Sequence, residues 1–233
     1  MRSAYPGERQ PRRGHPDAAT GQPTTPLQTI QPTGWAGWTL MNTIHDALRR
    51  DLDQLTRGTA SGAAARARWI VFRDHLRFHF AAEHAAMWPQ VQARLTGDPH
   101  GQALLEALED ERSLIGPLQA VTDDAFAMDA DPGRLRQLLT RLRTRLASHL
   151  AHEEAEALPL ISQTLSQGEL SRITRAIRGG YSVRHTAATV PWALAGASLR
   201  VRTQVLDQLP APTRLLCRRI WLPRHIRDTS PLC

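Results

Sequence analysis

Two stretches of this chain repeat one spacing, His-x-x-x-Glu: His79-Phe-Ala-Ala-Glu83 and His149-Leu-Ala-His-Glu153. Each lies in an apolar stretch of helical period, and each runs on into a proline, Pro89 or Pro159. Residues four apart share a helix face, so each stretch sets an imidazole beside a carboxylate. Two such helices packed together would bring four metal-type ligands into one helical core, which is how bundle proteins build iron sites. The constraint holds only if those faces point inward.

The rest of the chain supplies helices for them to pack against. Residues 1–40 are expected to be a disordered leader rich in Pro and Arg. Met41 stands directly before the first periodic helix, so the leader reads either as an extension or as a start codon set too early. Long helical patterns follow at about 41–57, 63–95, 100–127 and 131–165, within a bundle assigned to 41–167. Asp131-Pro132 reads as the start of the fourth, and Gly97-Asp98-Pro99 as the stop after the second. A basic extension, 168–233, offers short helices at about 168–177, 198–208 and 212–221. No strand alternation of useful length occurs. The fold class is all-α: a four-helix up-down bundle with a short-helix C-terminal extension.

Stepping about 100° per residue tests the orientation. Met41, Ile44, Leu48, Leu52 and Leu55 form one stripe, with His45 inside it. In the second helix Phe72, Leu76, Phe80, Met87 and Val91 form the stripe; Glu83 lies inside and His79 at its edge. In the fourth, Leu135, Leu138, Leu139, Leu142 and Leu146 are followed in line by His149 and Glu153, while Glu154 falls outside. A carboxylate centred on an apolar stripe needs a partner. A single inward histidine is ordinarily a hydrogen-bonded core residue, but three with two carboxylates on three helices point to a cation. His75 flanks its stripe, which suits a surface or supporting role. His84 and His152 read as boundary residues.

Composition narrows the function classes. All 29 basic residues are Arg, and the net charge is +7. Residues 41–179 carry 17 Arg against 18 acids, whereas 180–233 carry eight Arg against Asp207 and Asp228. A nucleic-acid-reading face on the bundle is therefore not expected. The basic tail reads either as the solvated outside of helices docked through Val201, Val205, Leu215, Leu216, Ile220 and Trp221, or as an attachment site for nucleic acid or an anionic membrane. No apolar run approaches a membrane span, and Arg12-Arg13 lacks the apolar segment of an export signal. Two cysteines, Cys217 and Cys233, fit a reducing cytoplasm. Nucleophile arrangements, phosphate loops and Cys-based zinc spacings are missing.

With these residues in place, the chain resembles the hemerythrin-like HHE cation-binding family over about 41–165. The matches are His45, His79 with Glu83, and His149 with Glu153 in the string that continues Glu154-Ala-Glu-Ala-Leu-Pro159. The stretches from Pro191-Trp192 and Leu209-Pro210 are similar to an extension that some members carry. The third helix departs: Arg112 stands where the family has histidine, and Arg cannot ligate a metal. Glu111 beside it could turn inward as a replacement carboxylate. Alternatively, the Arg112 guanidinium takes the place of a second cation beside Glu83 or Glu153, or it points to solvent.

The resemblance implies a cytoplasmic protein holding one or two non-haem irons, with a diatomic or peroxide as ligand. It would bind or sense O2, NO, peroxide or iron and redox state, in an apolar pocket lined by residues such as Phe72, Phe80 and Leu142. No organic-substrate apparatus, enzymatic reaction or particular protein partner is read from the sequence. The expected metal residues are His45, His79, Glu83, His149, Glu153 and Glu111, with Arg112 and His75 in supporting or ion-pair roles. A second reading makes the chain a metal-poor helical interaction protein whose Arg, Glu and His cluster is structural.

Overall fold

The computed structural model describes residues 37–58 and 62–229; most of the expected leader, up to residue 36, lies outside them. Four long rods make the bundle. The first, α1, is Gly37–Arg57. The second, α2, runs through Gly62–Ala82, a π-turn at Glu83–Met87, and Trp88–Arg94. The third, α3, is Pro99–Ala127. The fourth, α4, runs through Pro132–His152, a π-turn at Glu153–Ala157, and Leu158–Thr164. Residues 37–40, assigned to the leader, are thus helical. Trp38 explains the earlier start: it is buried, and its indole Nε1 donates to Ser162 Oγ at 2.7 Å.

Side-chain pairs fix the topology. His45 and Gln54 of α1 meet His79 and Arg68 of α2, so the numbers fall on one rod as they rise on the other. Trp69 and Arg73 of α2 meet Asp123 and Gln119 of α3 in the same sense. His45 and Asp53 meet Glu153 and Arg143 of α4. Neighbouring rods are therefore antiparallel, as short connections require. Gly97 turns the chain between α2 and α3 at φ +86°, a conformation that favours glycine. Asp131 caps α4 by accepting from the Arg134 amide at 3.0 Å, as its sequence position suggests.

The expected stripes are inside. Leu48, Leu52, Phe72, Leu76, Leu139, Leu142 and Leu146 are all buried in one apolar cluster. A second cluster joins Trp38, Met87, Val91, Leu158 and Ile161. His45, His79, Glu83 and Glu153 occupy the stretches of α1, α2 and α4 that lie between these two clusters.

Both His-x-x-x-Glu motifs end in a π-turn that begins at the glutamate. The Trp88 amide bonds to the Glu83 carbonyl and the Leu158 amide to the Glu153 carbonyl, each five residues back. Pro89 and Pro159 lie six residues after those glutamates. A proline ring crowds the carbonyl four residues earlier and offers no amide, and one wide turn relieves both problems. A third π-turn, Cys217–Trp221, precedes Pro223 at the same spacing. Proline alone does not suffice, since Pro117 and Pro191 sit inside ordinary helix.

The extension contributes α5, Gln167–Gly180, started by a capping box between Ser166 and Glu169. Then come α6, Val183–Leu194, and α7, Leu199–Asp207. The last rod, α8, is Ala211–Leu216, the π-turn Cys217–Trp221 and Leu222–Thr229. The sequence pattern gives no counterpart of α6, because two threonines, two valines and Pro191 mask its period. Yet α6 docks the extension. Trp192 is buried against α1, its Nε1 donating to Asp51 Oδ2 at 2.7 Å. Arg50 donates to the carbonyls of Trp192, at 3.0 Å, and Ala195. The expected docking set needs correction: Val205 is buried, but Leu215 and Ile220 are exposed, since α8 packs through Cys217 instead. Among the described residues, no helix is long and apolar enough to cross a membrane.

Candidate metal centre

His45 comes from α1, His79 and Glu83 from α2, and Glu153 from α4. All four are buried, and one ligand-type atom from each lies within 4.8 Å of the others. His79 Nε2 is 2.9 Å from Glu83 Oε1, and His45 Nε2 is 3.7 Å from Glu153 Oε2. Neither approach has hydrogen-bond geometry. His45 Nε2, His79 Nε2, Glu83 Oε1 and both Glu153 carboxylate oxygens have no hydrogen-bond partner. A buried polar atom left so costs about 1–3 kcal/mol, more when charged. Five converging on one spot is the signature of a site whose missing partner is a cation.

Electrostatics say the same. Burial pushes Glu83 up to about 7, against the pull of His45. Glu153 is raised well above the ordinary carboxylate range, by burial first and by the charge of Glu83 second. Burial depresses His79 to about 4, so its imidazole is neutral and can offer a lone pair. Two carboxylates, the neutral imidazole of His79 and the Nε2 of His45 match the donor types of a divalent transition metal.

The surroundings orient His45. Its Nδ1 lies 2.7 Å from Glu154 Oε1, and Arg49 grips the same carboxylate through both oxygens, at 2.8 and 2.9 Å. Burial would raise Glu154, but the hydrogen bonds of His45 and Arg49 outweigh it and hold the carboxyl below its usual value. An imidazole that donates through Nδ1 presents Nε2 as a ligand. Sequence reasoning missed this role because Glu154 lies outside the α4 stripe. The available signals were the adjacent Glu153-Glu154 pair and Arg49, one turn after His45.

The other expected residues are placed differently. His149 is buried but is not one of the four: its Nδ1 is 3.3 Å from Glu111 Oε2, and its ring meets Phe80 edge-on at 5.6 Å. Burial depresses it to about 4, outweighing the hydrogen bond and charge of Glu111. Glu111 does turn toward α4, and it also bonds His152 Nδ1 at 2.9 Å, so His152 is more than a boundary residue. Arg112 does not pair with Glu83 or Glu153. It reaches back one turn to Glu109, Nε to Oε2 at 2.8 Å. His75 supports α6 rather than the cluster, stacking on Trp192 with centroids 3.9 Å apart.

The expected pocket also shifts. Phe72 and Leu142 are core packing. The cavity that touches His79 and Glu83 is walled instead by α1 and the extension, with Leu40, Met41, Ile44, Val190 and Trp221 among its lining.

A family model described as the Hemerythrin HHE cation binding domain matches residues 36–161, more than half of the chain. The chain belongs to the hemerythrin HHE cation-binding family. No curated protein and no solved structure matches it. The matched span holds the whole bundle up to Ile161 and every residue of the buried cluster, and it leaves the extension unassigned. Within this hemerythrin-like domain, three rods supply the four grouped residues. The rod carrying Arg112 supplies only Glu111, to one side.

Proposed function

We propose that the chain is a hemerythrin-like non-haem iron protein that binds or senses O2, NO, peroxide or iron and redox state. The observation that carries this reading is the convergence of five unpartnered buried atoms from His45, His79, Glu83 and Glu153. Two imidazoles with two carboxylates suit ferrous iron, and zinc or manganese would also be tolerated there. When bound, iron would supply an open coordination position and a redox couple. The chain's own residues would hold it, fix the His45 tautomer through Glu154 and Arg49, and exclude bulk water with the two apolar clusters. His149 and Glu111 lie beside the four and are the residues available for a second, weaker position.

The rival reading, a structural cluster neutralised by Arg112, is disfavoured because Arg112 is engaged by Glu109. Anaerobic iron loading, followed by metal analysis and by absorption spectra on admitting O2 or NO, tests the proposal. Uptake with a ligand-dependent charge-transfer band is expected, and a spectrum indifferent to all of these ligands would remove the sensing role.

A further inference from the structure

The cavity between the bundle and the extension has a volume of about 450 Å³. A water molecule takes about 30 Å³ of liquid, so a diatomic ligand would leave most of this space to solvent against apolar walls. Cavities of roughly 300–1,000 Å³ with such walls are the size that holds small organic molecules. Apolar side chains come from both sides: Met41 and Ile44 from α1, Val190 from α6, Leu216 and the indole of Trp221 from α8. Hydroxyl-bearing Thr174, Tyr181 and Thr186 interrupt them.

The two ends differ. The inner end holds the buried Glu83 beside His79 and offers no Arg or Lys side chain to an anion. At the exposed mouth stands Arg178, the one cationic residue of the lining. Its guanidinium is held in place by donating to the Gln208 carbonyl at 2.6 Å, and no carboxylate among the described residues pairs with it. An apolar box with one anchored guanidinium at its entrance is complementary to an alkyl chain ending in a single carboxylate.

We propose that this cavity binds a medium-chain fatty acid, its alkyl chain running inward toward His79 and Glu83 and its carboxylate on Arg178. The extension, which lies outside the family's domain, would then make the site by roofing one side of the bundle. This assignment goes beyond the iron reading and does not rest on it.

Titration of the full chain with dodecanoate below its micellar range, followed by calorimetry and by tryptophan fluorescence, tests it. Saturable binding of one dodecanoate per chain is expected. Arg178→Gln, a change at an exposed position, should weaken binding about tenfold, and Thr186→Trp should block it. Arg227→Gln, a tail substitution away from the cavity, should leave it unchanged. Metal content of the same samples should not move with Arg178→Gln or Thr186→Trp, so failure of the fatty-acid site and failure of the iron site are read separately. The proposal is overturned by an absence of saturable binding, or by equal losses in Arg178→Gln and Arg227→Gln. Decanol binding as tightly as decanoate would also overturn it.

Discussion

His45 Nδ1 lies 2.7 Å from Glu154 Oε1, while the opposite nitrogen of the same ring has no hydrogen-bond partner and faces Glu153. One imidazole thus joins an outer carboxylate, itself held by Arg49, to the inner cluster. Partners that orient a metal-bound histidine typically contribute about 10–100-fold in affinity. Glu154→Gln should therefore weaken iron binding by about that factor without unfolding the protein, which competition against a chelator would measure. Equal affinity in the variant would mean that Glu154 serves only its ion pair with Arg49.

The pH response follows from the buried carboxylates. In the metal-free protein Glu83 is raised from 4.5 to about 7. Its contribution to stability is then full below 4.5 and lost as pH rises through about 7. A cation must displace that proton, so binding strengthens over the same interval. His79, lowered from 6.5 to about 4, acts oppositely: its contribution is present above 6.5 and lost as pH falls through 4. The gap in melting temperature between iron-loaded and metal-free protein should accordingly widen from about pH 5.5 to about pH 8. In Glu83→Gln the fall in metal-free stability with rising pH should be shallower, Glu153 being the buried carboxylate that remains. A gap that narrows with rising pH would contradict the assignment.

Much of the bundle was legible because burial and the 3.6-residue period coincide in its stripes. His45, His79, Glu83 and Glu153 could be placed from that period alone. The symmetry suggested by two equal motifs was not real. Glu83 and His79 both join the cluster, whereas His149 bonds Glu111, because α3 brings an acceptor beside it. A contact between rods of distant sequence leaves no trace in either rod's period. The π-turns are a local feature with a partial signal, a proline six residues after each glutamate. The α6 helix escaped for the opposite reason: tertiary docking through Trp192 outweighs its weak propensity.

Substitution on α3 tests whether the departure from the family pattern limits the second position. Arg112 lies close enough for its charge to help hold Glu83 down. Arg112→His would remove a cation and offer a ligand near His149 and Glu111. Iron bound per chain should rise above that of the parent protein in metal analysis. Unchanged content would show that the Arg112 side chain is too remote to complete a site.

A buried hydrogen bond from Trp192 to Asp51 helps hold the extension on the bundle. Trp192→Phe leaves the Asp51 carboxylate without its indole donor and removes part of the stacking surface for His75. The cost should be about 1–3 kcal/mol in urea unfolding. Proteolysis of the extension should accelerate while the bundle stays folded. A variant as stable as the parent would show that Arg50 and the apolar contacts hold α6 alone.

Metal stoichiometry decides whether the buried cluster of α1, α2 and α4 holds iron. The parent chain and the double variant Glu83→Gln, Glu153→Gln should be loaded with ferrous iron under anaerobic conditions near neutral pH, and iron per chain measured after desalting. The carboxamides keep the shape of the site and remove its buried charge, so the variant should remain folded and be the more stable of the two without metal. Bound iron is expected in the parent and its loss in the variant. Parent protein that retains no iron, or a variant that retains as much, would contradict it.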